Sequence, residues 1–190
     1  MPIEYLIGDA TSPCKTDGIR LITHICNDTG GWGRGFVVAL SNKWDEPMAR
    51  YKTWYKSLPS KTDHLPLGEI QIVPVKDQNG TLLFVVNMIA QHNFKTPQNP
   101  VAVRYQALAD CFRQLDGWIK SYKVAKGIMI KPDKLGKFSI HMPRIGCGLA
   151  GGSWDKVELL VGTVLMDYDV FVYDLDKTGM VTTDTKLLRG

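Results

Sequence analysis

The stretch GIRLITHICNDTGGWGRG, residues 18–35, joins a run of apolar and β-branched residues directly to a loop with four glycines. A strand that is apolar on both faces is typical of the centre of a parallel sheet covered by helices. Glycines allow the loop backbone to adopt positive φ or to approach a ligand closely. We therefore predict a buried central strand at 18–26 and a ligand-facing loop at 27–35.

A second glycine-rich loop, PRIGCGLAGG at 143–152, follows a predicted short strand at 139–142. Both loops lead into predicted helices, at 36–43 and at 154–166, the second with Ser153 as a candidate N-cap. Ligands of parallel α/β sheets bind at the carboxyl ends of the strands. Because backbone N–H groups exposed by glycines near helix N-termini bind anions, the two loops together predict a site for a diphosphate.

The rest of the chain alternates predicted strands and helices. The turn residues Gln78-Asn79-Gly80 separate two apolar runs, which predicts an antiparallel hairpin. The periodic segments predict strands at 3–7, 69–75, 82–89 and 169–175 and helices at 47–58 and 103–122. This alternation predicts a three-layer α/β/α domain with a mixed, mostly parallel central sheet.

Length and composition bound the number of domains and the functional class. The chain has 190 residues, 44% of them hydrophobic, which suits one domain at 1–176 followed by a polar tail at 177–190. We interpret 123–137 as a partly structured insertion. The net charge of +4 comes from scattered lysines and arginines, so nucleic-acid binding is not indicated, although an anionic small ligand is favoured.

Cysteine content and hydropathy give further expectations. The four cysteines form no CxxC pair, which predicts reduced thiols and neither a disulfide framework nor a metal site. No segment approaches the roughly 20 apolar residues of a membrane span, and the N-terminus lacks the pattern of a signal peptide. We therefore expect a cytoplasmic protein that does not associate with membranes, and we also expect a monomer without a cofactor.

At these same residues the sequence resembles the macrodomain family. The matching segments are Gly8-Asp9-Ala10-Thr11, His24-Ile25-Cys26-Asn27 with GGWGRG, PRIGCGL at 143–149 and Val172-Tyr173-Asp174, and they span residue 3 to about residue 175. The glycine loops resemble most specifically the branch with terminal ADP-ribose protein glycohydrolase and the fungal ADP-ribose-1″-phosphate phosphatase. A bacterial subgroup of that branch also shares the Asn87–His92 stretch. The resemblance implies a macrodomain fold that binds ADP-ribose.

The resemblance also implies roles for individual residues. Asp9 would accept a hydrogen bond from the adenine amino group, Asn27 would hold the distal ribose, and residues 173–175 would lie beside the adenine. The two loops would enclose the diphosphate from opposite sides. The implied ligand-binding set is Asp9, Ala10, Asn27, Gly31, Trp32, Gly33, Arg34, Gly35, Ile145, Gly146, Cys147, Gly148, Leu149, Tyr173 and Asp174.

The sequence departs from the terminal glycohydrolase at two catalytic positions. That enzyme has a lysine, which forms an adduct with the ribose, after the strand equivalent to 84–89, and an aspartate after GCGL. Here Ala90-Gln91 and Ala150 stand near those positions, which predicts hydrolysis by a positioned water without a lysine adduct. We predict Asn27, Asp28 and Gln91 as the catalytic set, with His24 and His92 as other candidates near strand ends.

Several of these residues have a structural interpretation as well. Asp28 could instead form an Asx turn, and His24 could be a buried core histidine. Trp32 could be a lid over the distal ribose or an anchor for the loop, and Arg34 could contact phosphate or solvent. Cys147 is not predicted to be a nucleophile, because its motif contains no histidine or acid to activate it.

Three functions are compatible with such a site. The first is removal of ADP-ribose from modified protein side chains, with acidic ester linkages expected as substrates and ADP-ribosylated proteins as partners. The second is a phosphatase acting on ADP-ribose 1″-phosphate, and the third is a module that binds ADP-ribose without chemistry. Because one fold hosts all three, the fold alone cannot separate them.

Overall fold

The computed structural model describes residues 3–14, 18–60, 62–125 and 137–176. The predicted polar tail and most of the predicted insertion lie outside these residues.

A six-stranded mixed sheet forms the middle layer. Its strands are β1 (Glu4–Ile7), β2 (Ile19–Asn27), β3 (Ile70–Lys76), β4 (Leu82–Gln91), β5 (Phe138–Pro143) and β6 (Asp169–Asp174). They lie in the order β1-β6-β5-β2-β4-β3, and every described neighbouring pair is parallel except β3 with β4. This confirms the predicted mixed sheet and the central place of β2. One edge strand is β1, which has four residues, and the other is β3, which carries the exposed Pro74.

Helices cover both faces of the sheet and complete the three layers. They are α1 (Phe36–Ser41), α2 (Glu46–Lys56), α3 (Tyr105–Ala125) and α4 (Trp154–Val164). Helices α3 and α4 bury Leu108, Phe112 and Val157 in the larger core cluster, whereas α1 and α2 bury Leu40 and Tyr51 in two smaller clusters on the other face. The predicted three-layer α/β/α architecture is therefore confirmed.

The start of α3 differs by two residues from the prediction at 103. Val103 forms an isolated bridge with Gln91, and the backbone N–H of Arg104 donates to the carbonyl of Ala90 at 2.8 Å. These bonds keep the chain extended beside the end of β4, so the helix begins at Tyr105. A contact distant in sequence thus overrides the local helical pattern.

Two histidines are buried on the sheet. His24 Nε2 lies 2.7 Å from Asn87 Oδ1, and His141 lies between the hydroxyls of Tyr173 and Ser139, each at 2.9 Å. Burial lowers the pKa of His24 to about 4 and that of His141 to about 3. Both imidazoles are therefore neutral in the folded protein at neutral pH.

The free energy of unfolding should fall as the pH is lowered below 6.5. In the unfolded chain both imidazoles protonate near pH 6.5. In the folded protein they protonate only near their lowered pKa values, about 4 for His24 and about 3 for His141. Lowering the pH from about 6.5 to about 5 should therefore remove about 2 kcal/mol per buried histidine. Urea unfolding at several pH values measures this loss. His24→Gln should remove about half of the slope, and an unchanged slope would refute the assignment to His24.

Candidate functional site

The two glycine-rich loops face each other across a cleft. Strands β2 and β5 are parallel neighbours, so the loops at 27–35 and 143–152 both follow the carboxyl ends of strands on the same side of the sheet. A smaller cavity of about 240 Å³ lies between them. A larger one of about 560 Å³ adjoins it and is lined by the first loop and by Gln91, Phe94 and Lys95, with Leu149 as its one residue from the second loop. The cavities share five lining residues and form one continuous cleft, with shared residues Ile25, Arg34, Val37, Gln91 and Leu149. Its volume is in the range of small-ligand sites.

Asn27 organises the first loop from its place at the end of β2. Its side-chain oxygen accepts hydrogen bonds from the backbone N–H of Thr29 at 3.0 Å and of Gly31 at 2.9 Å, and its amide donates to the Gly31 carbonyl at 2.8 Å. The Tyr51 hydroxyl donates to the Asn27 carbonyl at 2.8 Å. Asn27 also lines the larger cavity. Because an amide carries two N–H groups, one of them is left to donate to a ligand.

Trp32 fixes the loop to the domain. Its indole N–H donates to Ser41 Oγ at 2.8 Å, and its ring packs against those of His24 and Tyr51 with centroids 5.5 and 5.4 Å away. The structure therefore favours the anchor over the lid, although Trp32 also contributes to the wall of the larger cavity.

Two glycines of the second loop have different roles. Gly146 has φ +73°, and a Cβ there would lie 3.1 Å from Val103 Cγ2, so both backbone conformation and packing require glycine. Gly148 lines the smaller cavity, and a Cβ there would meet nothing within 4 Å. A side chain at position 148 would therefore have room to occupy the cleft.

Leu149 and Gly35 bring the two loops together. A Cβ at Gly35 would lie 3.3 Å from Leu149 Cδ1, and Leu149 lines both cavities while 62% of its surface stays exposed. The buried Ile145 forms part of the floor of the smaller cavity.

Cys147 is not among the residues that line the cleft. Its thiol lies 3.2 Å from the carbonyl of Ile145, and burial raises the pKa of the thiol. A raised pKa disfavours the thiolate, which agrees with its exclusion as a nucleophile.

The three predicted catalytic residues separate into two places. Asn27 and Gln91 both line the larger cavity, and Gln91 donates to the carbonyl of Asn93 at 2.7 Å. Asp28 is 1% exposed and is not among the lining residues. Its carboxylate accepts from the backbone N–H of Asn93 at 2.8 Å and faces the ring of His92 at 2.6 Å. The structure therefore does not bring Asp28 into the cleft.

Three residues of the predicted ligand-binding set, Asp9, Ala10 and Tyr173, are not among the residues that line either cavity. Asp9 accepts from the backbone N–H and the hydroxyl of Thr11 at 2.8 and 2.7 Å. Ala10 and Tyr173 are buried in a cluster that supports Phe36, which does line the smaller cavity.

Asp174, at the end of β6, forms an ion pair with Arg144. The guanidinium of Arg144 donates to both carboxylate oxygens of Asp174, at 2.6 and 2.7 Å. This ion pair raises the pKa of Arg144, which therefore stays charged. Both carboxylate oxygens of Asp174 therefore already accept hydrogen bonds from Arg144.

Several lining residues are absent from the predicted set, and two of them, Phe94 and Lys95, belong to a segment outside both predicted loops. Both follow β4 and line the larger cavity, and a Cβ at Gly31 would lie only 2.5 Å from the Phe94 ring. The sequence did contain a signal for these residues. Strand β4 is a parallel neighbour of β2, so the loop that follows β4 starts at the same carboxyl-terminal side of the sheet as the first glycine-rich loop. The prediction followed that loop as far as His92 and stopped short of these two residues.

The charge of the cleft favours an anion. Among the described residues that line the two cavities there is no aspartate or glutamate, whereas Arg34, Lys95 and Arg144 are present. Because Arg144 is neutralised by Asp174, the available positive charge comes from Arg34 and Lys95. The lining supplies no carboxylate to act as a general base.

Comparison with known proteins places the chain in a family, although no family model matches it. A Bacteroides thetaiotaomicron protein of unknown function is 41% identical, with 92% of this chain and 99% of that chain covered and a TM-score of 0.71. A macrodomain protein from Streptomyces coelicolor is 34% identical, with 91% and 99% covered and a TM-score of 0.68.

Curated relatives extend the comparison. The ADP-ribose 1″-phosphate phosphatase of Lodderomyces elongisporus is 23% identical over 92% of this chain and all of that protein. The zebrafish chromodomain-helicase-DNA-binding protein 1-like is 31% identical over 89% of this chain, which spans only 15% of that protein's length.

None of the described helices is long and apolar enough to cross a membrane. Given its 34% identity to the Streptomyces protein along nearly the whole of both chains, this chain belongs to the macrodomain family.

Proposed function

We propose that this chain is an ADP-ribosyl hydrolase that binds ADP-ribose in the cleft and removes it from modified protein side chains. Ester linkages to acidic residues are the proposed substrates, and ADP-ribosylated proteins are the proposed partners. The observation that carries the proposal is a cleft of two adjoining cavities, of about 560 and 240 Å³, which the two glycine-rich loops line together and whose charged lining residues are all basic. A diphosphate suits such a cleft because backbone N–H groups and basic side chains bind it together.

The proposed reaction is direct attack of water on the anomeric carbon of the distal ribose. An ADP-ribosyl ester is already activated at that carbon, so holding the ribose and a water in line can supply much of the acceleration. The amides of Asn27 and Gln91 are the proposed positioning groups, because both lie in the larger cavity. Asp28 would act indirectly, since it holds the backbone of Asn93, whose carbonyl in turn accepts from Gln91.

A phosphatase acting on ADP-ribose 1″-phosphate is the second candidate. Arg34 and Lys95 line the same cavity as Asn27, and two basic side chains near the distal ribose would favour a phosphate leaving group. The fungal relative of that name supports this candidate.

Incubation of the full chain with a panel of substrates separates these functions. Glu-, Ser- and Arg-linked ADP-ribosyl peptides and ADP-ribose 1″-phosphate are supplied separately, and release of ADP-ribose and of inorganic phosphate is followed. We expect release from the Glu-linked peptide. Release only from the 1″-phosphate would support the phosphatase instead, and tight binding without any release would leave a binding module.

Reductive trapping during turnover tests the direct-water mechanism. Lys95 is the residue that makes this test necessary, because it lines the larger cavity even though Ala90-Gln91 stand near the position of the family lysine. We expect no covalent product by mass spectrometry. A reduced ADP-ribosyl group on Lys95, absent from Lys95→Met, would replace the direct-water mechanism with an adduct.

Asp9→Asn should weaken ADP-ribose binding by about 1.5–3 kcal/mol, the value of a hydrogen bond to a charged group. The variant keeps an oxygen for the N–H of Thr11 but replaces the second acceptor with a donor. Calorimetry measures the change. Thr11→Val is the matched control, because it removes the hydroxyl that bonds Asp9 and leaves the carboxylate in place. Unchanged affinity in Asp9→Asn would remove Asp9 from the site.

A further inference from the structure

Two imidazoles converge on one buried carboxylate oxygen outside the cleft. Asp28 Oδ2 lies 2.6 Å from Nδ1 of His92 and 3.2 Å from Nδ1 of His64. One potential ligand atom from each of the three residues lies within 4.8 Å of the others. Within the described ranges, no other group of three or more His, Cys, Asp or Glu residues has such an arrangement.

We propose that Asp28, His64 and His92 bind a divalent metal ion of the zinc class. Two imidazole nitrogens and one carboxylate oxygen form a donor set typical of Zn²⁺. Tetrahedral Zn²⁺ with bonds of about 2.0–2.1 Å holds its ligand atoms about 3.3 Å apart. The His64–Asp28 separation already has this value, and the His92–Asp28 separation reaches it by a shift of less than 1 Å.

The surroundings hold the three ligands in place. The backbone N–H of Leu65 donates to the carbonyl of Asp28 at 2.9 Å, which fixes His64 beside the carboxylate. The backbone N–H of Asn93 bonds the other oxygen of Asp28, and the Asn93 amide lies 3.0 Å from His92 Nε2. An amide can turn its oxygen toward a ring N–H, as the second partner of a metal-bound histidine requires.

The site is open on one side. The side chain of Asp28 is 1% exposed, whereas those of His64 and His92 are 42% and 38% exposed. An ion would therefore rest on a buried anionic oxygen with a coordination position left for water. A buried carboxylate gains most from such a charge, because its solvation by bulk water is already lost.

Metal binding would join three separate segments. Asp28 directly follows Asn27 at the end of β2, His92 directly follows Gln91 at the end of β4, and His64 belongs to the connection between α2 and β3. An ion that binds only the folded arrangement stabilises the fold. The test of this proposal needs no substrate, so its outcome does not depend on the proposed catalytic function.

The test uses the full chain without a histidine tag, treated with a chelator and then titrated with Zn²⁺. We expect a single bound ion per chain by elemental analysis. At a Zn²⁺ concentration about a hundredfold above Kd, the melting temperature should rise by about 5–10 °C. Cobalt provides a spectroscopic check, because tetrahedral Co²⁺ has a strong visible absorption.

Matched variants decide whether the ion occupies this site. His64→Gln changes an exposed side chain and should fold normally, yet it should weaken Zn²⁺ binding at least tenfold, as should His92→Gln. Cys14→Ser and Cys147→Ser, at the two half-buried thiols, should leave binding unchanged. Absence of Zn²⁺ binding by the wild type, normal binding in the His64→Gln, His92→Gln double variant, or loss of binding in a cysteine variant would each overturn the proposal.

Discussion

Gly148→Glu should abolish ADP-ribose binding without unfolding the protein. Position 148 lines the smaller cavity, and a Cβ there meets no atom within 4 Å, so the new side chain enters open space. Its carboxylate would then lie beside the proposed diphosphate and replace a neutral backbone by a like charge. Repulsion of about 4 kcal/mol between charges about 4 Å apart near a protein surface predicts a loss of affinity of at least 100-fold.

Calorimetry with ADP-ribose measures the loss, and circular dichroism with thermal unfolding checks the fold. Gly148→Ala is the matched control, because it adds bulk without charge and should retain most of the affinity. Gly146→Ala should behave differently and lose stability, since φ there is +73° and Val103 is in close contact. Normal binding by folded Gly148→Glu would mean that the diphosphate lies elsewhere.

Asn27→Ala should reduce turnover far more than it reduces affinity. The substitution removes the amide from the larger cavity together with the bonds that hold Thr29 and Gly31. The proposed contacts with adenine, and those of the second loop with the diphosphate, would remain, whereas the reacting carbon would lose its positioning. We expect a fall in the single-turnover rate on the order of 100-fold, as is typical when a reacting group is misplaced by about 1 Å. The Kd for ADP-ribose should change by less than about tenfold.

Thr29→Val separates the two effects of Asn27. It removes the hydroxyl that donates to Asn27 Oδ1 at 2.9 Å and leaves the amide itself in place. Turnover close to that of the wild type in Thr29→Val assigns the loss in Asn27→Ala to the ribose contact. If Thr29→Val is equally slow, Asn27 acts through the loop. Wild-type turnover in Asn27→Ala would exclude it from the reaction.

The sheet and its two loops could be predicted because their signals are local. The apolar run of β2 is long enough to identify a buried strand, and Asn79-Gly80 identifies the hairpin of β3 and β4. The glycines at 30–35 and 146–152 predicted the two loops from which residues of the cleft lining come. Element ends differ from the prediction by up to three residues, and at the start of α3 the cause is the bridge between Val103 and Gln91.

The placement of side chains at the loops could not be read in the same way. Asp28 and His92 are 64 residues apart, and neither belongs to a spaced motif that would indicate a shared site. The expectation of no metal site rested on cysteine spacing, whereas the proposed site combines three segments that meet only in the folded chain. The orientation of Trp32 likewise depends on Ser41 and Tyr51, which local sequence does not place nearby.

The edges of the sheet also affect the behaviour of the protein at high concentration. One edge is the short β1, and the other is β3, where Pro74 lacks a backbone donor and the exposed Lys76 carries a charge. A second copy could form few hydrogen bonds with either edge. Both edge strands are thus protected against the addition of a further strand. We therefore expect little edge-to-edge aggregation even at high protein concentration.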